Sequence, residues 1–196
     1  EAVFCTRPEI PARLGFQRVT LARELTLDEI RSIAKQAPAE IETFLHGALC
    51  YSYSGLCLYS ALLRDRSGNR GACAYPCRDA FCATCAPGAA PVRPGLVFSM
   101  KDLAAGASIH DLVQAGVASL KIEGRKKSPL YVAAAVNYYR KLLDHSFGPG
   151  EQERCENDLR TIFARPWTAL YLKSTANRAV IDPDATGHRG TPVGRV

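Results

Sequence analysis

Ile41-Glu42-Thr43-Phe44-Leu45-His46-Gly47-Ala48-Leu49-Cys50 runs on into Tyr51-Ser52-Tyr53-Ser54-Gly55-Leu56-Cys57. An apolar strand from Ile41 to Leu45 gives way at His46-Gly47 to a loop that carries thiols. After a polar connection the chain reads Asn69-Arg70-Gly71-Ala72-Cys73-Ala74-Tyr75-Pro76-Cys77, so Cys50, Cys57, Cys73 and Cys77 follow C-x6-C-x15-C-x3-C among glycine and proline. Four thiolates this close in sequence suit zinc or an iron-sulfur cluster, because both take soft sulfur ligands. A zinc ribbon shows two tight knuckles, and here only Cys73 and Cys77 are that close. A cluster as wide as a side chain accommodates ligands from longer loops, which favours iron and sulfide, with zinc as the alternative. The plainer reading is four small buried or disulfide-paired side chains.

Working outward, Arg18 to Leu25 is a short β-rich run, and Thr26 caps a helix to about Gln36, with Asp28 and Glu29 in its first turn where the helix dipole favours acid. Pro38 stops it, and the strand from Ile41 follows. Beyond the cysteine loops, Leu96 to Phe98 reads as a third strand and Ile109 to Ala115 as a helix closed by Gly116. Ala118 to Ile122 reads as a fourth strand. Pro129 to His145 then shows Val132, Ala135, Val136, Tyr139, Leu142 and Leu143 at helical spacing. Strand and helix alternating in this way predict a parallel α/β sheet, and four such units make half of a (β/α)8 barrel.

Barrel chemistry sits at the carboxyl ends of strands. There the sequence places Arg23 and Glu24, then His46, then Ser99, Lys101 and Asp102, then Lys121, Glu123 and Arg125. Each alone is weak, and a lone histidine at a strand end is commonly a structural hydrogen-bonding residue. Four strand ends all carrying ionisable groups exceed what a structural sheet requires.

Composition bounds the rest. The chain has 196 residues, 47% of them hydrophobic, enough for a core of ordinary size in one domain. A net charge of +6 and a pI near 9.0 suit a polyanionic partner without demanding one. No run of about 18 apolar residues is present, so no membrane span is expected. With no charged-then-apolar leader before Phe4, the expected location is the cytoplasm. Arg64 to Gly71 is a basic, turn-rich connection: a solvated loop, or a rim for phosphate or carboxylate. Cys82 and Cys85 form a C-x2-C pair, whereas Cys5 and Cys155 are isolated. Glu151 to Phe163 reads as one more amphipathic helix. In the tail, Trp167, Tyr171, Lys173, Arg178 and Arg189 read as packing and solubility residues, or as stacking and phosphate contacts to a nucleic acid.

Several of these strings together resemble the U32 peptidase, or collagenase-like protease, family. They are Glu42-x-Phe44-x-His46-Gly47-Ala48-Leu49-Cys50, Ser54-Gly55-x-Cys57-x-x-Ser60, Asn69-Arg70-Gly71-Ala72-Cys73 with Pro76-Cys77-Arg78, Ser119 to Arg125 with Lys127-Ser128-Pro129-x-Tyr131-Val132, and His188-Arg189-Gly190-x-Pro192-Val193-Gly194. The resemblance runs from about Leu14 to the last residue, and Cys82 and Cys85 depart from it. It implies that residues 1–146 are the C-terminal half of a barrel with a cysteine-rich loop at 47–95. Residues 147–196 would be an extension leading to a further domain, and another half-barrel would precede Glu1. Exposed sheet edges would then favour association.

For function, the resemblance implies oxygen-independent hydroxylation of a base in tRNA or rRNA, with prephenate as hydroxyl donor and a 4Fe-4S cluster on Cys50, Cys57, Cys73 and Cys77. Arg23, Lys101, Lys121 and Arg125 are the candidate substrate-binding residues, since guanidinium and ammonium groups suit the donor's carboxylates. Glu24, His46 and Glu123 are the candidate proton-transfer residues. Peptidase activity is the alternative, although neither H-E-x-x-H nor G-x-S-x-G occurs. A non-catalytic iron-sulfur accessory role in ubiquinone hydroxylation is the third.

Overall fold

A computed structural model describes residues 9–82, 94–124, 127–163, 165–176 and 179–188. After a short helix α1 (Glu9–Arg13) come β1 (Arg18–Thr20), α2 (Leu27–Gln36), β2 (Glu40–Ala48) and α3 (Tyr59–Arg64). They are followed by β3 (Asp102–Ala104), α4 (Ile109–Gln114), β4 (Ser119–Glu123), α5 (Pro129–Leu143), α6 (Glu151–Phe163) and β5 (Trp167–Thr168).

The sheet is mixed. β2 lies at its centre, parallel to β1 through Arg18↔Glu40 to Thr20↔Glu42, and parallel to β4 through Glu42↔Ser119 to Gly47↔Glu123. β3 joins the far end of β2 antiparallel, and β5 pairs with β3. The parallel α/β expectation therefore holds for β1, β2 and β4 and fails for the third strand. Leu96 to Phe98 is no strand, because Phe98 packs its ring on Tyr51 and Phe81 at 4.7 and 5.0 Å, in the wall of the cysteine loop. The strand forms instead at Asp102–Ala104, where Asp102 is 2% exposed and pairs with Arg165. The five strands do not close into a barrel, and the half-barrel of four parallel units is not formed among the described residues.

Helices cover one face. Val19, Leu21, Ile41 and Leu45 pack with Ile30 of α2, Ile109 and Leu112 of α4, Tyr131, Ala135 and Leu142 of α5, and Leu159 of α6 in a single core. The α2 start is a capping box, with Thr26 Oγ1 accepting from Glu29 N at 3.3 Å and Glu29 Oε2 accepting from Thr26 N at 2.8 Å. α5 begins as its sequence implies: Pro129 stands at N1, and Ser128 Oγ accepts from Tyr131 N at 3.2 Å. The opposite face of the sheet carries a smaller cluster, Phe44, Leu49, Met100, Leu103 and Leu170, beside a polar surface.

Candidate active site

The polar surface begins with one carboxylate. Thr20, Glu42 and Ser119 are in register on three strands, and Glu42 accepts from both neighbours, Thr20 Oγ1 and Ser119 Oγ, each at 2.7 Å. Lys121 Nζ stands 3.4 Å from the same side chain. Desolvation opposes its charge, but the bonds from Ser119 and Thr20 and the Lys121 ammonium outweigh it and hold Glu42 below its ordinary pKa.

Two residues further along, Phe44 is flanked by cations. The Arg23 guanidinium lies 3.8 Å from its ring centroid and Lys121 Nζ 5.4 Å. Arg23 also reaches Glu123 at 3.6 Å. Desolvation presses Arg23 below its ordinary pKa against the opposing fields of Glu123, Cys50 and Glu24, which places all three beside it. Glu24 Oε1 accepts from Ser54 N at 2.8 Å, tying the end of β1 to the cysteine loop. Its Oε2 is buried and has no hydrogen-bond partner among the described residues.

Close approach of β2 and β4 at this rim depends on Gly47. Its φ is +116°, and a Cβ there would lie 2.5 Å from the Glu123 carbonyl oxygen. That contact fixes where Glu123 leaves the strand.

The cysteines lie on the loops above. Cys50, Cys57, Cys73, Cys77 and Cys82 are all free thiols. Burial pushes the Cys50 thiol up, Cys57 and Cys73 push it further, and the Ser52 N–H and Arg23 pull the other way. Cys77 is raised by burial, with Cys50, Cys73 and Cys57 adding to it and Arg78 opposing. The four expected ligands thus share one electrostatic neighbourhood, and Cys82 is not among the groups that shift Cys50 or Cys77. No three His, Cys, Asp or Glu side chains among the described residues stand close enough to hold a single metal ion. Cys85 and Arg125 lie outside the described residues.

His46 is not at this rim. The β2–β4 register shifts between Phe44 and His46, so strict alternation is lost and His46 turns to the helix side of the sheet. There its ring is 5.9, 5.5 and 5.6 Å from those of Tyr131, Tyr139 and Trp167, and Nδ1 is 3.1 Å from Tyr139 Oη. Burial lowers its pKa to about 4, so the ring is neutral. The groups whose charge acts on it are Asp102 and Lys127, and no cysteine is among them. Lys101 precedes β3 and donates its N–H to Val180 O at 2.8 Å. Its side chain pairs with no described residue.

Sequence reading passed over Arg78, Lys127 and Arg165. They line a cleft of about 300 Å³ with Tyr75, Glu123 and Phe163, at the carboxyl ends of β2 and β4. Arg78 latches the cysteine loop to the sheet, donating to Ser99 Oγ at 2.9 Å and to the Met100 and Leu49 carbonyls. Arg165 Nε donates to buried Asp102 at 2.8 Å. Position in the strings Pro76-Cys77-Arg78 and Lys127-Ser128-Pro129 was the available signal for the first two. Arg165 had none, since its partner lies 63 residues away.

A profile of peptidase family U32 matches residues 7–182. The chain is 44% identical over 131 residues to the 23S rRNA 5-hydroxycytidine C2501 synthase of Escherichia coli, covering 67% of this chain and 20% of that protein. It is 42% identical over 136 residues to tRNA hydroxylation protein P1 of Bacillus subtilis, covering 66% and 32%. A protein named collagenase from Porphyromonas gingivalis is 34% identical over 172 residues, covering 79% and 42%. The chain therefore spans less than half the length of each of these relatives. No solved structure matches.

Proposed function

The chain belongs to peptidase family U32, and from that premise we propose that it is part of an iron-sulfur protein that hydroxylates a base of tRNA or rRNA without oxygen. One observation carries the reading: the loop bearing Cys50 and Cys57 is tied by the Ser54 N–H to Glu24 at a rim where Arg23 pairs with Glu123, and the free thiols of Cys50, Cys57, Cys73 and Cys77 share one electrostatic neighbourhood. Relatives named for rRNA and tRNA hydroxylation support the choice of reaction.

Cys50, Cys57, Cys73 and Cys77 suit a cluster in their chemistry, as free thiols that share one electrostatic neighbourhood. A 4Fe-4S cluster held there would supply Lewis-acid or electron-transfer chemistry. The protein's own residues do the rest. The oxygen donor would be a small carboxylic acid such as prephenate, and Arg23 and Lys121, already paired with Glu123 and Glu42, would hold those two carboxylates in place at the rim. Glu24, with one buried oxygen lacking a partner among the described residues, and Glu123 would accept and return protons. His46 is assigned no proton transfer, because burial keeps it neutral and its ring nitrogen faces Tyr139. The barrel expected around β1, β2 and β4 would belong to the assembled full-length protein.

The test is nucleoside mass spectrometry of tRNA and rRNA from a deletion strain carrying each variant, with iron and sulfide analysis of the protein purified anaerobically. Cys50→Ala is expected to lose iron and the hydroxylated nucleoside together. Glu123→Gln is expected to keep iron and lower the nucleoside level. An unchanged nucleoside profile, together with proteolysis that survives chelation, overturns the proposal in favour of a peptidase.

A further inference from the structure

We infer that the cleft between Arg78, Lys127 and Arg165, and not the Arg23–Lys121 rim, is the binding site of a small dicarboxylate. The argument is one of missing counter-charge. Burying a cation without an anionic partner is costly, and proteins seldom leave one so. Arg165 has Asp102. Arg78, only partly exposed, spends its Nη hydrogen bonds on the neutral acceptors Ser99, Met100 and Leu49, and its Nε is buried without a partner among the described residues. Lys127 is partly buried as well, with its Nζ 2.8 Å from the Phe163 ring centroid and 5.6 Å from that of Tyr131. It forms no ion pair with any described residue. Glu123, on the same wall, is already engaged by Arg23.

Two cations from different loops thus face one cleft, and neither has an ion-paired carboxylate among the described residues. Two separate charges call for two separate anionic groups on the occupant. The rim offers the opposite arrangement, since Lys121 already has Glu42 and Arg23 already has Glu123. About 300 Å³ is the lower end of the range for small-molecule sites, which favours a compact acid over a polynucleotide backbone. Position agrees, because ligands of parallel α/β sheets collect at the carboxyl ends of strands, where Ala48 and Glu123 border the cleft. Burial and the adjoining Arg165 and Arg78 charges lower the Lys127 pKa to about 8, against the pull of Asp102 and Glu123, as expected of an ammonium short of negative charge.

The inference rests on the hydroxylation reading only in taking prephenate as the first probe. Calorimetric titration of the purified protein with prephenate, succinate and inorganic phosphate tests it. Prephenate is expected to bind, Lys127→Gln to weaken it roughly tenfold or more, the loss expected for one charged hydrogen bond, and Lys127→Arg, which keeps the charge, to retain it. Lys121→Gln is expected to leave affinity unchanged. If succinate binds with the same dependence on Lys127 and prephenate does not, the cleft stands and the donor assigned to hydroxylation falls. Weakening by Lys121→Gln but not by Lys127→Gln overturns the inference. So does the absence of any dicarboxylate binding, or phosphate binding as tightly as the acids.

Discussion

At the scale of single residues, His46 and Gly47 show how neighbours can serve different ends. His46 has its pKa lowered from 6.5 to about 4, chiefly by burial. Above pH 6.5 the ring is neutral in both folded and unfolded chains. As pH falls towards 4 the unfolded chain takes a proton that the folded one refuses, so stability is lost across that window. The loss should approach about 3 kcal/mol, from roughly 2.5 units at 1.36 kcal/mol each. His46→Phe, which keeps a ring against Tyr131, Tyr139 and Trp167, should flatten this limb in urea midpoints measured from pH 7 to 4. An equally steep limb in the variant would show that other groups produce it. Gly47→Ala meets both a positive φ and the Glu123 carbonyl, so it should destabilise by about 2 to 4 kcal/mol. An unchanged unfolding midpoint would mean that β2 and β4 do not approach as closely as described. Sequence marked both residues as special but not how, because the register shift that turns His46 away from the rim depends on pairing with β4, a strand remote in the chain.

At the scale of elements, what was legible was local. Thr26 and Glu29 announce α2, Pro129 announces α5, and Gly116, at φ +92°, follows the end of α4. Each signal lies within a few residues of the structure it causes. The third strand was illegible for the converse reason. Leu96 to Phe98 has the look of a strand, yet Phe98 is claimed by Tyr51 and Phe81, while Asp102 can enter β3 only because Arg165 neutralises it. The same limit governs the site. Arg23, Glu24, Glu123 and the four cysteines could be named from strand ends and spacing. The latch made by Arg78, and the counter-charge missing around Lys127, exist only once distant loops meet.

At the scale of the molecule, the sheet has two unlike faces, one sealed by α2, α4, α5 and α6, the other bearing Glu42, Lys121 and Arg23 under the cysteine loops. β1 and β4 each pair only with β2, so their outer edges have no partner among the described residues. The Glu42 bond to Ser119 spans 77 residues, and all four rim cysteines lie between those two. That separation has a consequence in time. Closing a long loop is entropically unfavourable and slows the pairing that depends on it, so β4 should find β2 late in folding. Anything that gathers Cys50, Cys57, Cys73 and Cys77 early shortens the effective loop before the strands meet. Refolding followed by stopped-flow fluorescence of Trp167 should then be faster with iron and sulfide present than with a chelator, and Cys57→Ala should remove the difference. Equal rates would mean that the sheet is complete before the thiols are gathered.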